Sequence, residues 1–442
     1  MDPAGDPVAV ADHPTDTRDV DKAVTATSAG DVHPAITLEE LKRFDPAWCL
    51  FWGKYVRSSQ LAIWVPYLRR SRYRYAVMAS DDRIRAADRE VIAALPNLVI
   101  VEPFAEALDW FRATPGFRGF LYIGTQPENF RTVNRLGRHV HVYIGHGESG
   151  KGTSGHRTGS LYDAIFVARY GAVGRYPRAI RRWVWSGACA IGAALVEGIQ
   201  KDPWTKPRPV RTILYAPTWE SSSERGDYTS LDVVGPTLVE LMPSLAERGI
   251  RVISRPHPGT GLRRPVLREM RDALYAAGAE SGVGKTEAFG RADVLISDVS
   301  GLTAEFLFTE KPAIIPVTTK LLERERDAAW LHAEYPWVYR WHINGPDEPE
   351  PGAAGNPRAA AALLELLHTI ESTDPLRDRR ATEAKRMFRG HRSFEDAVRT
   401  FDVALSVVAR RHWRSIGVPM RIPFELTLLL TRLRRRFVGD RR

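Results

Sequence analysis

Short apolar runs that end in Gly or a polar residue recur in two series along this chain, and longer connections separate them. That alternation constrains the fold more than any other feature. From about Trp48 to Ile199 the runs read "YAVMAS", "NLVIVE", "GFLYIG", "HVHVYIGHG", "DAIFVA" and "RRWVWSG". Runs of this length with long connections predict buried parallel strands joined by crossover helices. After "IQKDPWTKPRPVR", Ile199 to Arg211, a second series follows: "TILYAPTWE", "IRVISRPHPG", "ADVLISDVSG" and "PAIIPVT". Helical patterns lie between its strands, at "LDVVGPTLVELMPSLAERG", "RPVLREMRDALYAAGA" and "GLTAEFLFTE". The expected fold is α/β, with two Rossmann-like doubly wound lobes facing across a cleft, and the cleft at the strands' carboxyl ends is the default ligand site.

A length of 442 residues suits two domains. The reading assigns 1–37 to a disordered leader, 38–200 to the first lobe, 201–210 to a linker, 211–405 to the second lobe and 406–442 to a basic tail. The helical patterns "PRAAAALLELLHTIE", "RATEAKRMF" and "SFEDAVRTFDVALSVVARRHW" either finish the second lobe or return to the first. The leader, rich in Asp, Pro, Ala and Thr, lacks a basic region followed by an apolar one and does not read as a signal peptide. The only cysteines, Cys49 and Cys189, are far apart, which supports neither a disulfide framework nor a zinc site and fits a cytosolic protein.

The formal charge of +10 favours anionic partners. Most of it lies late in the chain, where ten arginines from Arg410 to Arg442 face only Glu425 and Asp440. Those arginines flank an apolar cluster, Phe424 to Leu430. This suits an amphipathic segment on anionic lipid, each basic residue contributing about 1 kcal/mol near the surface. In the other reading Leu426, Leu429, Leu430 and Leu433 pack on the body. Aromatic and basic residues interleave only at "YLRRSRYRY", Tyr67 to Tyr75, so nucleic acid is not expected as a partner.

Five stretches bear on candidate chemistry. "SGVGKTEAF" contains Gly-Lys-Thr, but Gly278 lies six residues before Gly284 instead of five and no strand leads in, so a solvated Lys285 opening a short helix is expected rather than a phosphate loop. In "LISDVSGLTAEFLFTEKPAIIP" a strand meets Asp298, Ser300 and Gly301 before a helix begins. Its free amides and the Ser300 and Thr303 hydroxyls would receive an anion, while Asp298 or Ser300 would cap it. In "RVISRPHPG" the prolines around His257 restrict its backbone, and Arg255 stands at the same strand end, an arrangement suited to a diphosphate. "YAPTW" likewise ends a strand with Thr218, a possible donor, and Trp219. In the first lobe, "YIGHGESGKGTS" sets His146 between Gly145 and Gly147. There it is either a structural residue at a strand end or a group placed for chemistry, since the flanking glycines permit close backbone approach to a ligand. Lys151 reads equally as an acceptor-phosphate ligand or a solvated residue.

"YAPTW", "RPHP" and "SDVSGLTAEFLFTEKPAIIP", in that order, resemble the CDP-glycerol glycerophosphotransferases, bacterial teichoic acid and capsule polymerases and primases. The likeness covers most of residues 120 to 320, and its most specific part ends in Lys311-Pro312. His146-Gly147 matches the start of the family's first-lobe His-Gly-Thr-Pro stretch. The resemblance implies a GT-B fold whose cleft holds a CDP-linked polyol. An acceptor hydroxyl attacks the β-phosphorus and CMP leaves, with neither cofactor nor metal. It implies His146 as general base, His257 and Arg255 on the diphosphate, and Ser300 with Gly301 cradling it. The acceptor would be lipid-linked or glycan, and the enzyme cytoplasmic and peripheral to the inner face of the membrane.

The chain departs from the pattern at Glu148-Ser149-Gly150-Lys151, at Glu220 where Arg is usual, at Val299 for Tyr and at Glu305 for Asp. Glu305 keeps a carboxylate, placed either for ribose or polyol hydroxyls or at the edge of the core. Two alternatives stand beside this reading: a GT-B glycosyltransferase using a UDP- or GDP-sugar, and a basic protein that binds anionic polymers without catalysis.

Overall fold

The computed structural model describes residues 36–51, 58–78, 97–101, 107–124, 127–145, 157–168, 170–186, 188, 199, 201–220, 227–325, 328–343, 355–388 and 393–415. The first lobe contains α1 (Leu38–Phe44), β1 (Trp48–Phe51), α2 (Ser58–Arg70), β2 (Tyr75–Met78), β3 (Leu98–Val101), α3 (Ala107–Arg112), β4 (Gly119–Tyr122), α4 (Pro127–Arg135), β5 (Val140–Tyr143), β6 (Ala164–Val167) and β7 (Val184–Ser186). Its sheet runs β3-β2-β1-β4-β5-β6-β7, with every pairing parallel. The strand order reverses at β1 and β4, as in a doubly wound sheet. Strand β1, "WCLF", lies inside the sheet between β2 and β4 and is not among the runs picked out from the sequence.

The second lobe contains β8 (Thr212–Ala216), α5 (Leu231–Glu247), β9 (Arg251–Ser254), α6 (Pro265–Ala276), α7 (Lys285–Arg291), β10 (Val294–Ser297), α8 (Gly301–Phe306), β11 (Ala313–Val317), α9 (Thr319–Glu325), α10 (Ala328–Glu334) and β12 (Tyr339–His342). Its parallel sheet runs β12-β11-β10-β8-β9, so the order reverses between β8 and β10. Strands β8, β10 and β11 are buried at every position. That explains their continuous rather than alternating apolar runs: helices cover both faces of the sheet. The expected α/β fold with two GT-B-like lobes is what forms.

Three helices follow, α11 (Pro357–Ser372), α12 (Arg377–Phe388) and α13 (Phe394–Ser415). The first two pack on opposite faces of the second sheet. Of the two placements left open for the last pattern, α13 takes the return to the first lobe. Phe401, Leu405 and Val408 enter the first sheet's core, with Phe401 5.4 Å from the Trp64 ring. Asp402 accepts from Ser71 Oγ at 2.5 Å and from the Arg72 amide at 3.0 Å, which fixes the helix on the end of α2. A boundary at 405 therefore falls inside one continuous helix. Residues 416–442, the larger part of the expected tail, lie outside the described residues. The proline-rich 201–210 segment is itself packed, since Trp204 and Val210 lie in the second lobe's core.

One buried ion pair holds the far side of the second lobe. Arg380 is 0% exposed and Asp374 2%. The guanidinium grips Asp374 with both terminal nitrogens, one at 2.8 Å. Arg380 Nε also donates to the Glu310 carbonyl at 3.0 Å, and Tyr339 Oη donates to Asp374 Oδ1 at 2.7 Å. Helix α12, β12 and the turn after α8 are thereby joined. Arg380→Met, which strands Asp374 in the core, is expected to destabilise the protein by about 3–5 kcal/mol in denaturant unfolding.

Candidate functional site

The second sheet's reversal places the carboxyl ends of β8 and β10 side by side, where ligands bind in open α/β sheets. There the Thr218 amide donates to Asp298 Oδ2 at 2.7 Å, and Asp298 is buried. Ser297 Oγ donates to the Ala216 carbonyl at 2.7 Å, so two bonds tie the strand ends together. Of the two capping candidates, Ser300 is the one that caps α8: its Oγ accepts from the Thr303 amide at 3.3 Å. Thr303 Oγ1 turns back to the Asp298 carbonyl at 2.7 Å, so this buried hydroxyl supports the turn from inside. Gly301 is the first residue of α8.

His257 sits on the neighbouring strand end. Its amide donates to the Pro217 carbonyl at 3.2 Å, which joins the turn after β9 to the turn after β8. The ring stacks on Trp219, centroids 5.5 Å apart and planes 19° apart, so Trp219 does more than fill space. His257 Nδ1 accepts from the Gly259 amide at 3.0 Å. In the neutral ring that acceptor role assigns the proton to Nε2, leaving Nε2–H as the donor. Gly259 is required here because a Cβ would lie 2.8 Å from the Trp219 ring.

Glu220 explains one departure from the family pattern. Its buried carboxylate accepts from the amides of Gly261 at 3.1 Å, Arg263 at 2.9 Å and Arg264 at 3.3 Å. It thus fastens the loop that follows His257, a role an arginine cannot fill because it has no acceptor. Nothing local in the sequence reveals this, since the partners lie some forty residues on. Glu220→Ala would leave those amides without their carboxylate. A loss of about 2 kcal/mol is expected from bonds to a charged group, measured by urea unfolding.

Lys285 and Lys311 differ from their sequence readings. Lys285 opens α7 as expected but is not simply solvated: its Nζ lies 3.0 Å from Glu305 Oε2, with the Lys285 side chain 22% exposed and that of Glu305 7%. Lys311, part of the most specific motif, donates to the carbonyls of Phe289 at 3.2 Å, Gly290 at 2.9 Å and Ala292 at 2.7 Å. It satisfies the open carbonyls at the end of α7, a structural task. Between these lysines Phe289 meets Phe306 edge-on at 5.1 Å, so α7 braces α8.

Burial pushes the Glu305 carboxyl above its ordinary range, while Lys285 and Arg255 pull it back. Burial likewise lowers the half-buried Arg255, and Glu305 opposes that. No hydrogen bond or ion pair within 4 Å holds the Arg255 side chain among the described residues. A carboxyl raised in the folded state stabilises the fold while protonated, and that contribution disappears as pH rises through its folded pKa. Glu305→Gln is therefore expected to retain stability toward neutral pH better than the wild type, shown by urea midpoints at about pH 5 and about pH 8.

The structure brings together Thr218, Arg255, His257, Asp298, Ser300, Gly301, Thr303 and Glu305 on the second lobe. His146, Gly147 and Lys151 lie outside the described residues. Gly145, immediately before them, has φ +67°, a conformation that glycine adopts without strain. Its carbonyl accepts from Trp64 Nε1 at 2.8 Å and its amide donates to the Tyr122 carbonyl at 3.2 Å.

No curated protein matches the chain. Among solved structures, a UDP-N-acetylglucosamine 2-epimerase aligns at TM-score 0.50 and 12% identity over 83% of this chain and 96% of its own. A wall teichoic acid polymerase TagF soaked with CDPG aligns at TM-score 0.46 and 11% identity, over 83% of this chain and 90% of its own. A UDP-glucosyltransferase from Polygonum tinctorium aligns at TM-score 0.47 and 11% identity, over 83% and 99%. The epimerase likeness is one of fold. The model of the family described as CDP-Glycerol:Poly(glycerophosphate) glycerophosphotransferase matches residues 201–322, which hold every described site residue. The second-lobe part of the motif resemblance is thereby borne out: residues 201–322 are similar to the CDP-glycerol glycerophosphotransferase family, while the stretch before residue 201 lies outside the match.

Proposed function

We propose that the protein transfers glycerol phosphate, or a related polyol phosphate, from CDP-glycerol to an acceptor hydroxyl and releases CMP. The observation that carries this reading is the family match across residues 201–322, which takes in both strand ends at the reversal of the second sheet. In the reaction the acceptor oxygen forms a bond to the β-phosphorus as the bond to the CMP oxygen breaks. The acceptor proton passes to His146 as general base. His257, with its proton on Nε2, and the cationic Arg255 stabilise charge on the diphosphate, and Ser300 with Gly301 cradles it. Such groups act best when fixed in advance, and the Trp219 stack and the Gly259 amide fix the His257 ring.

The acceptor is lipid-linked or glycan, in teichoic acid or capsule-type polymer synthesis. The arginine-rich stretch from Arg410 onward holds the enzyme on an anionic membrane surface from the cytoplasmic side. Lys151 binds an acceptor phosphate. Thr218 and Asp298 shape the donor pocket through their mutual bond.

Purified protein given CDP-glycerol and candidate acceptors is expected to release CMP. His146→Ala and His257→Ala should each lower the rate by about 10²-fold or more while the unfolding midpoint stays within the wild-type range. A thermal-shift panel of CDP, UDP and GDP should favour CDP, because at equal concentration the ligand that binds the folded state most tightly stabilises it most. Preference for UDP or GDP would move the assignment to a sugar-nucleotide glycosyltransferase.

A further inference from the structure

Lys285 stands where helix physics disfavours it. It is the first residue of α7, at the positive end of the helix dipole, where an acidic residue such as Glu287 is the favoured type. Its ammonium is largely withdrawn from water and reaches Glu305 on α8. The helix that carries it is anchored at its other end by the three carbonyl bonds of Lys311 and against α8 by the Phe289–Phe306 contact. A solvated lysine needs none of this support.

Glu305 is the group so held. Lys285 occupies Oε2, while Oε1 has no hydrogen bond among the described residues. The charged groups that face the carboxylate are Lys285 from α7 and Arg255 from the turn after β9. The result is an ordered array of cation, carboxylate and cation. One cation is committed to the carboxylate, and the other, Arg255, has no ion pair within 4 Å among the described residues. An ionised carboxylate with one open oxygen accepts hydrogen bonds from a vicinal diol, and the uncommitted guanidinium beside it suits a phosphate.

We propose that Lys285 is a positioning residue: it keeps Glu305 ionised and oriented so that Oε1 accepts from hydroxyls of a nucleoside diphosphate-linked polyol while Arg255 stays available for the diphosphate. This rests on the reading of the site as one for such a donor and adds a residue to it. Burial alone would favour the protonated carboxyl, which offers a donor where the diol needs an acceptor. Removing the ammonium should therefore raise the pH below which ligand is lost.

Two measurements on the full chain test the proposal, with wild type, Lys285→Met, Lys285→Arg and Glu305→Gln. The first follows the Glu305 carboxyl directly by ¹³C NMR, assigned by its absence in Glu305→Gln. In Lys285→Met its titration should move up by about one to three pH units, the effect of losing a neighbouring opposite charge, and in Lys285→Arg it should stay near wild type. The second is CDP-glycerol affinity against pH by calorimetry. The acid limb of binding should shift upward in Lys285→Met by the same interval, so that affinity recovers at higher pH. It should vanish in Glu305→Gln, which binds weakly at every pH. A Lys285→Met titration that superimposes on wild type, or a uniform loss of affinity at all pH values, would overturn the proposal. Wild type that binds no CDP-glycerol while its Glu305 titration depends on Lys285 would instead overturn the donor assignment, and with it the ligand that Glu305 serves.

Discussion

The bond between the buried Asp298 carboxylate and the Thr218 amide spans the one place where the second sheet's strand order turns back on itself. At a reversal the connections leave β8 and β10 for opposite faces, and a crevice opens between them. The ladder pairs the two strands as far as Ser297 with Ala216, and Asp298 carries the connection one step beyond it, to the Thr218 amide, while the Ser297 hydroxyl adds a bond to the Ala216 carbonyl. The His257 turn reaches this frame through the Pro217 carbonyl. Three strand ends thus behave as one rigid unit.

Charge burial is the second constraint, and the lobe meets it by giving each buried charge a dedicated partner. An unpaired ion in the interior is costly, so Glu220, Lys311 and Arg380 are each surrounded by groups of opposite polarity. Glu220 and Lys311 bond mainly to backbone groups, whose positions are fixed by the turns and helix ends they belong to. Such bonds stiffen loops rather than merely neutralising charge. Arg255 breaks the pattern, for its side chain is half-buried with no close partner among the described residues. Its burial lowers the guanidinium's pKa and is offset only by the nearby Glu305 charge, which leaves it as the group open to a diphosphate under the proposed reading.

Much of the fold was legible because parallel strands covered on both faces must be apolar throughout, and such runs stand out against polar connections. The strand ends were legible too, since Pro, Gly, Ser and Asp are the residues that stop strands and start helices. Ser300 as a cap and His257 as a held histidine follow from that local chemistry. What escaped depends on distance in the chain. Glu220 is defined by amides in the loop after His257, and Lys285 by a carboxylate on the next helix. Lys311 was noticed as a motif but read without its task, which is set by the end of α7. Helix α13 has an apolar stripe that would suit either lobe, and only three-dimensional packing with Trp64 and Tyr67 decides it. Strand β1, an interior strand of the same length as β2 to β6, was also missed.

The two lobes share a device at their functional ends. In the second, Trp219 stacks on His257 and demands glycine at 259. In the first, the Trp64 indole donates to the carbonyl of Gly145, the left-handed residue that leads into "HGESGKGTS". Trp64 is fully buried, and shifting it would open a cavity; Trp219, half-buried, is held by its stack on His257. Each is therefore a good reference point from which to hold a turn. In each lobe the residue it holds is at, or one position before, the histidine to which chemistry is assigned. The glycines serve differently: Gly145 adopts a left-handed backbone, whereas Gly259 leaves room for the Trp219 ring. In both turns a tryptophan contact fixes a backbone or ring position in advance, which is what preorganised electrostatic stabilisation requires.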